Sequence, residues 1–209
     1  MKISVIGSGG WGTAISAHLC RTGHLVTLWS WKQEESDSIR INAENKEFLP
    51  GIVLPDGIHY TALLEEAAQA ELIVIATPSG ALAGTVEKLH AFLAPGVPIV
   101  NLTKGLCPET GERFSQVISR LCPENPVVVL TGPSHAEEVG RQIPTTVVAA
   151  SENEEAAALV QDVFMGPRFR VYTAPDVIGA ELGGALKMLS PYAPALWTVW
   201  ALEITPKPL

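Results

Sequence analysis

Short apolar runs alternate along the chain with longer stretches in which apolar residues recur every three or four positions. The short runs predict strands over 3–6, 25–29, 72–76, 98–102, 127–130, 146–149 and 169–172. The longer stretches predict helices over 12–21, 37–44, 63–70, 82–93, 111–121 and 154–164. Strands separated by helices imply parallel pairing with right-handed crossovers. Helices then cover both faces of the sheet, which accounts for strands as uninterrupted as Leu72-Ile73-Val74-Ile75 and Val127-Val128-Val129-Leu130. Gly23 is placed to stop the first helix, and Asn153 to start the one carrying Glu154 and Glu155.

The junction of the first strand and the first helix carries chemistry. Gly7, Gly9 and Gly12 form G-x-G-x-x-G directly after the apolar run Ile3, Val5, Ile6. A diphosphate needs main-chain N–H groups aimed at it and no side chains in the way. Gly7 allows the sharp turn, Gly9 the close approach of the phosphates, and Gly12 the close packing of helix on strand, with the positive helix end toward the anion. A plain structural turn is the alternative; the strand–turn–helix setting favours the ligand. The expectation is an α/β fold, a doubly wound, mostly parallel Rossmann-type sheet. Four predicted strands end in small or polar residues: Gly7-Ser8-Gly9, Thr77-Pro78-Ser79, Thr103-Lys104-Gly105 and Thr131-Gly132-Pro133-Ser134. In such sheets ligands bind outside the carboxyl ends of the strands, so these four mark a crevice.

Composition narrows the role. The 209 residues are 47% hydrophobic and 17% charged, enough for a substantial core, and the net charge of −8 disfavours nucleic acid or an anionic membrane surface as partner. Cys20, Cys107 and Cys122 have no metal-ligand spacing and suit a reducing compartment. No metal is expected, no signal peptide is read, and no run reaches the length of a membrane span, so the expected location is the cytoplasm. The second strand ends at Trp29-Ser30-Trp31-Lys32, where an NAD-selective site usually places an acid. Glu34 and Glu35 come slightly later. Lys32 can pair with a 2′-phosphate and Trp31 can stack on adenine, which leans the choice between NADH and NADPH toward NADPH; a solvated surface lysine is the alternative for Lys32.

Six segments in order carry a resemblance: Gly7-Ser-Gly-Gly-Trp-Gly-Thr-Ala14, Phe48-Leu-Pro-Gly51, Ala76-Thr-Pro-Ser79, Thr103-Lys-Gly-Leu106, Thr131-Gly-Pro-Ser-His-Ala136 and Gly179-Ala-Glu-Leu-Gly-Gly-Ala-Leu-Lys187. Together they resemble the bacterial NAD(P)-dependent glycerol-3-phosphate dehydrogenases, from Met1 to Lys187. The resemblance implies hydride transfer between NAD(P)H and dihydroxyacetone phosphate, giving sn-glycerol 3-phosphate for phospholipid synthesis, and a homodimer in the full-length family. Reducing a carbonyl needs a positive group near the developing alkoxide and a proton donor of suitable pKa. By resemblance Lys187 is the general acid/base and Lys104 touches both cofactor and substrate. Gly10, Trp11 and Ala136 match cofactor contacts, Trp31 the adenosine-side position, and Gly132 and Ser134 substrate contacts. Asn101 has no assigned role, His135 reads as a partly exposed loop residue, and Cys107 and Cys122 as packing residues.

After Lys187 the resemblance stops. The family continues into a helical substrate domain, whereas this chain runs Met188-Leu-Ser-Pro-Tyr-Ala-Pro with further prolines at 206 and 208. The expected division is a cofactor domain over 1–180, then over 181–209 the start of a substrate-domain helix and a non-family tail. A single-base frame change at the Lys187 codon would produce such a tail. Reading one base earlier forces Asp at Trp197-Thr198 and Gly at Trp200-Ala201, and both suit the family's continuation. The expectation is a dehydrogenase without its second wall, including the family's Arg-Asn pair for the substrate phosphate, and hence weak or no turnover. The alternatives are a non-catalytic dinucleotide-binding module and another dehydrogenase acting on a hydroxy acid or sugar nucleotide.

Overall fold

The computed structural model describes residues 1–186. The elements run β1 (Lys2–Ile6), α1 (Gly10–Arg21), β2 (Leu25–Trp29), α2 (Gln33–Asn42), β3 (His59–Thr61), α3 (Leu64–Ala67), β4 (Leu72–Ile75) and α4 (Ser79–His90). They continue β5 (Ile99–Asn101), α5 (Phe114–Leu121), β6 (Val127–Thr131), α6 (Ala136–Gly140), β7 (Thr145–Ala150), α7 (Glu154–Phe164), β8 (Phe169–Ala174) and α8 (Val177–Leu186). The strands form one sheet in the order β3-β2-β1-β4-β5-β6-β7-β8. The chain therefore winds outward from β1 to β3 and then restarts at β4 on the other side of β1. β1 and β4 pair in parallel, Ile3 opposite Leu72 and Ile6 opposite Ile75.

Period-two alternation splits each central strand between two cores. Leu72 and Val74 of β4 join Val5, Ile15, Leu28 and Phe164 on one face. Ile73 and Ile75 join Ile6, Leu82, Val86 and Phe114 on the other. Both faces are sealed, which is the doubly wound arrangement that the apolar runs predict. Thr22 follows α1 and Gly23 takes a φ of +93°, so the helix ends where expected. Asn153 caps α7 by accepting from the Ala156 N–H at 2.9 Å.

The structure differs from the sequence reading in several places; α3 stops at Ala67, α4 runs Ser79–His90 and not over 82–93, and α6 is unanticipated. β7 runs antiparallel to β6, with Thr131 opposite Val148. The connection 132–144 places its short helix α6 against α1 and does not carry the chain back along β6. The eleven-residue α7 does carry it back, and β8 runs parallel to β7. β3 is an unanticipated edge strand of three residues. α2 begins at Gln33 and not at 37, because its first turn is polar and shows no apolar period. α5 begins at Phe114, since Gly111 holds a φ of +71° that no helix accommodates.

α8 starts at the far edge of the sheet and runs up to the rim. The Asp176 carboxylate accepts from the Gly179 N–H at 2.8 Å and caps it. At its other end Gly184 lies against Thr131, where a Cβ would come within 2.6 Å of the threonine hydroxyl. The expected division at 180/181 falls inside this helix. Lys187 and the tail lie outside the described residues.

Candidate functional site

The strand order reverses between β1 and β4, and a groove of about 660 Å³ opens above that point. Gly7 to Trp11 floor it, Trp29, Trp31 and Glu35 close the β2 side, and Ala76, Thr77, Pro78, Ala81 and Thr85 close the β4 side. The three fingerprint glycines are required for different reasons. Gly7 has a φ of +118°, and a Cβ there would lie 2.7 Å from the Ala76 carbonyl oxygen. A Cβ on Gly12 would run into the Gly7 carbonyl. A Cβ on Gly9 would meet nothing within 4 Å, so the protein itself gives no packing reason for that glycine. What the absent side chain leaves open is the groove.

Asn45, which sequence reasoning missed, holds the turn from beneath. Its buried amide donates to the Ser8 carbonyl at 2.7 Å and the Thr13 hydroxyl at 2.8 Å, and its oxygen accepts from the Phe48 N–H at 3.1 Å. The Thr13 hydroxyl in turn donates to Ser8 O at 3.1 Å. The Ser8 hydroxyl donates to Glu35 Oε1 at 2.5 Å, joining the turn to α2.

The rim continues along β5 and β6. Asn101, buried at the end of β5, accepts from the Thr103 N–H and donates to Thr103 O, both at 3.1 Å. That pins the loop carrying Lys104 and gives Asn101 a structural role. The Thr103 hydroxyl donates to Thr77 O at 2.9 Å, tying the ends of β4 and β5 together. The Lys104 ammonium thereby stands 5.9 Å from the centroid of the Trp11 ring. Farther along, Glu181 of α8 is buried at 7% exposure and pairs with Arg113 at 2.8 Å while accepting from the Ser115 N–H at 2.9 Å and from its hydroxyl. Beside α8 lies an apolar hollow of about 510 Å³ that includes Gly132, Pro133 and Gly183.

Two titrating groups away from the groove are set by burial. Desolvation lowers the pKa of His18, whose Nε2–H donates to Phe164 O at 2.8 Å. It pushes the Cys122 thiol up to about 11, in keeping with a packing role. Among the described residues no cluster of His, Cys, Asp and Glu is placed to hold a metal, and no helix is long and apolar enough to cross a membrane.

The groove fits a dinucleotide. The open face of Gly9 offers the turn's main chain to a diphosphate, and two buried polar atoms on the lining, Trp11 Nε1 and Thr77 Oγ1, have no hydrogen-bond partner among the described residues. Residues 2–157 match the family model described as NAD-dependent glycerol-3-phosphate dehydrogenase N-terminus. The chain belongs to this family. Among curated proteins it is 47% identical over 186 residues to a glycerol-3-phosphate dehydrogenase (NAD(P)+) of Desulfitobacterium hafniense, covering 89% of this chain and 53% of that protein. It is 49% identical over 187 residues to the Moorella thermoacetica protein of the same name, covering 89% and 56%. The crystal structure of glycerol-3-phosphate dehydrogenase from Coxiella burnetii superposes with a TM-score of 0.84 at 31% identity, covering 89% of this chain and 57% of that one. The chain thus spans about half the length of the curated relatives it matches.

The structure places the residues singled out by the sequence and by the resemblance as follows. Gly7, Gly9, Gly10, Trp11 and Trp31 share the groove, Gly12 lies under it, and Ala136 sits beside Gly10. Lys104 faces Trp11 across the rim, Gly132 opens on the neighbouring hollow, and Ser134 is buried in the same loop. Lys32 is exposed and does not line the groove, and His135 is exposed at the start of α6. Lys187 lies outside the described residues.

Proposed function

We propose that the groove binds NADH or NADPH, and that the chain supplies the cofactor half of a dehydrogenase interconverting dihydroxyacetone phosphate and sn-glycerol 3-phosphate. The observation that carries this reading is the Gly9 turn, open to the groove at the switch point of the sheet. Bound there, the nicotinamide supplies or takes up a hydride at the substrate's carbonyl carbon. The N–H groups of the Gly9–Trp11 turn and the start of α1 hold the diphosphate. Trp31, 67% exposed, stacks on the adenine. The Lys104 ammonium, above Trp11, stabilises charge gathering on the carbonyl oxygen. Gly132 and Ser134 hold the substrate, and Lys187 exchanges the proton with that oxygen.

Turnover by these 209 residues is expected to be weak or absent. Among the described residues the hollow beside α8 is open, with Ile178 and Leu182 exposed on the helix, so these residues give the substrate side a single wall. The alternative reading is a module that binds dinucleotide and turns nothing over. Titration with NADH and NADPH, followed by quenching of tryptophan emission, tests the shared part of both readings. Association is expected, and its absence at millimolar cofactor overturns them. Oxidation of NADH on adding dihydroxyacetone phosphate then separates the enzyme from the module.

A further inference from the structure

The turn after β2 faces the adenosine ribose in sites of this architecture, where the 2′-position carries a hydroxyl in NADH and a phosphate in NADPH. An acid at that place accepts a hydrogen bond from the hydroxyl and repels the phosphate. Four charged residues lie near the turn: Lys32, Glu34, Glu35 and, across the groove mouth, Lys88. Of these only Glu35 lines the groove. It is half-buried in the first turn of α2, and the Ser8 hydroxyl holds its Oε1. The carboxylate is therefore fixed between the glycine turn and the β2 tip, and its second oxygen makes no hydrogen bond within the described residues. Lys32 and Lys88 are both exposed, and the Lys88 ammonium already lies 5.6 Å from the Trp31 ring.

We propose that Glu35 makes this chain selective for NADH, its free oxygen accepting from the ribose hydroxyls and its charge excluding the 2′-phosphate. The proposal rests on the reading of the groove as a dinucleotide site and reverses the lean that Lys32 gives in the sequence. A 2′-phosphate brings more than one negative charge to a carboxylate that the Ser8 hydroxyl holds at the groove. The two lysines on the other side are solvated and screened by salt, and exposed pairs of that kind contribute little.

The test is direct binding to the full 209-residue chain near neutral pH, with tryptophan quenching by NADH and by NADPH as the readout. The wild-type Kd for NADPH is expected to exceed that for NADH by about tenfold or more, a difference of about 1.4 kcal/mol. Glu35→Gln keeps an oxygen for the Ser8 hydroxyl and removes the charge, so the ratio should fall to within about threefold, whereas Lys32→Ala should leave it unchanged. Raising the salt should shrink the wild-type ratio, because it screens the repulsion; selection of NADPH by lysines would weaken instead. This second measurement needs no variant to fold. NADPH binding as tightly as NADH, or a ratio unmoved by both Glu35→Gln and salt, overturns the role of Glu35 and leaves the groove reading standing. Failure of both cofactors to associate overturns the groove reading itself, and the proposal with it.

Discussion

Gly9→Ala separates a ligand-binding turn from a merely structural one. Gly9 has φ −63° and ψ 175°, a conformation open to alanine, and the added methyl would touch nothing within 4 Å. Two small effects on stability oppose each other. Stiffening the unfolded chain stabilises by about 0.4–1 kcal/mol, and alanine is the poorer residue at the N-cap of α1 by a similar amount. For a chain of this size the melting temperature should therefore stay within about 4 °C of wild type. The methyl would nonetheless occupy the space into which a diphosphate must come to reach the turn's N–H groups. Each hydrogen bond lost to a charged oxygen costs about 1.5–3 kcal/mol, so the Kd for NADH should rise by about tenfold or more. Gly12→Ala is the contrasting control. Its Cβ collides with the Gly7 carbonyl and comes within 3.1 Å of the Ala76 Cβ, so α1 must shift. Overpacking of that kind costs about 1–3 kcal/mol, which should lower the melting temperature by about 2–12 °C. Tryptophan quenching by NADH and differential scanning calorimetry on both variants decide the matter. A stable Gly9→Ala protein with wild-type affinity would refute the reasoning, because the phosphates would then lie elsewhere.

Asn45→Ala removes three hydrogen bonds under the turn and should cost about 2–4 kcal/mol in thermal or denaturant unfolding, with weaker NADH binding alongside; an unchanged midpoint would show that the turn holds its shape alone. Glu181→Ala leaves Arg113 without its buried partner and should loosen α8 locally, so hydrogen exchange over residues 178–186 should accelerate more than the global midpoint falls. His18 is held below its ordinary pKa, so the unfolded chain binds the extra proton first as pH falls through about 6.5; stability should decline from there downward, and His18→Gln, which can still donate to Phe164 O, should flatten that decline in melting curves taken across pH 5–7.

What was legible in the sequence is what local chemistry dictates. The glycine turn could be read because three contiguous requirements, a sharp bend, an open face and a close helix, select glycine within six residues. The strands β1, β4 and β6 could be read because sheets covered on both sides need unbroken apolar runs. Asn45 could not, since it acts on Ser8 from 37 residues away and sits in a loop whose pattern has no period. The direction of β7 was hidden because an apolar run is the same read either way, and the five-residue α6 before it has no apolar period of its own. Glu35 was visible as an acid near the right place, but its choice over Glu34 depends on which side of one helical turn meets Ser8.

The reversal at β7 sets a limit on the crevice. Strands β1 to β6 all point their carboxyl ends at one rim, while β7 and β8 offer that rim their beginnings. The row of carboxyl ends thus stops at Thr131. Whatever encloses a reactant past that strand has to be brought in from outside the sheet, and α8, leaning on Thr131 through Gly184, is the described element already pointing the chain toward that gap.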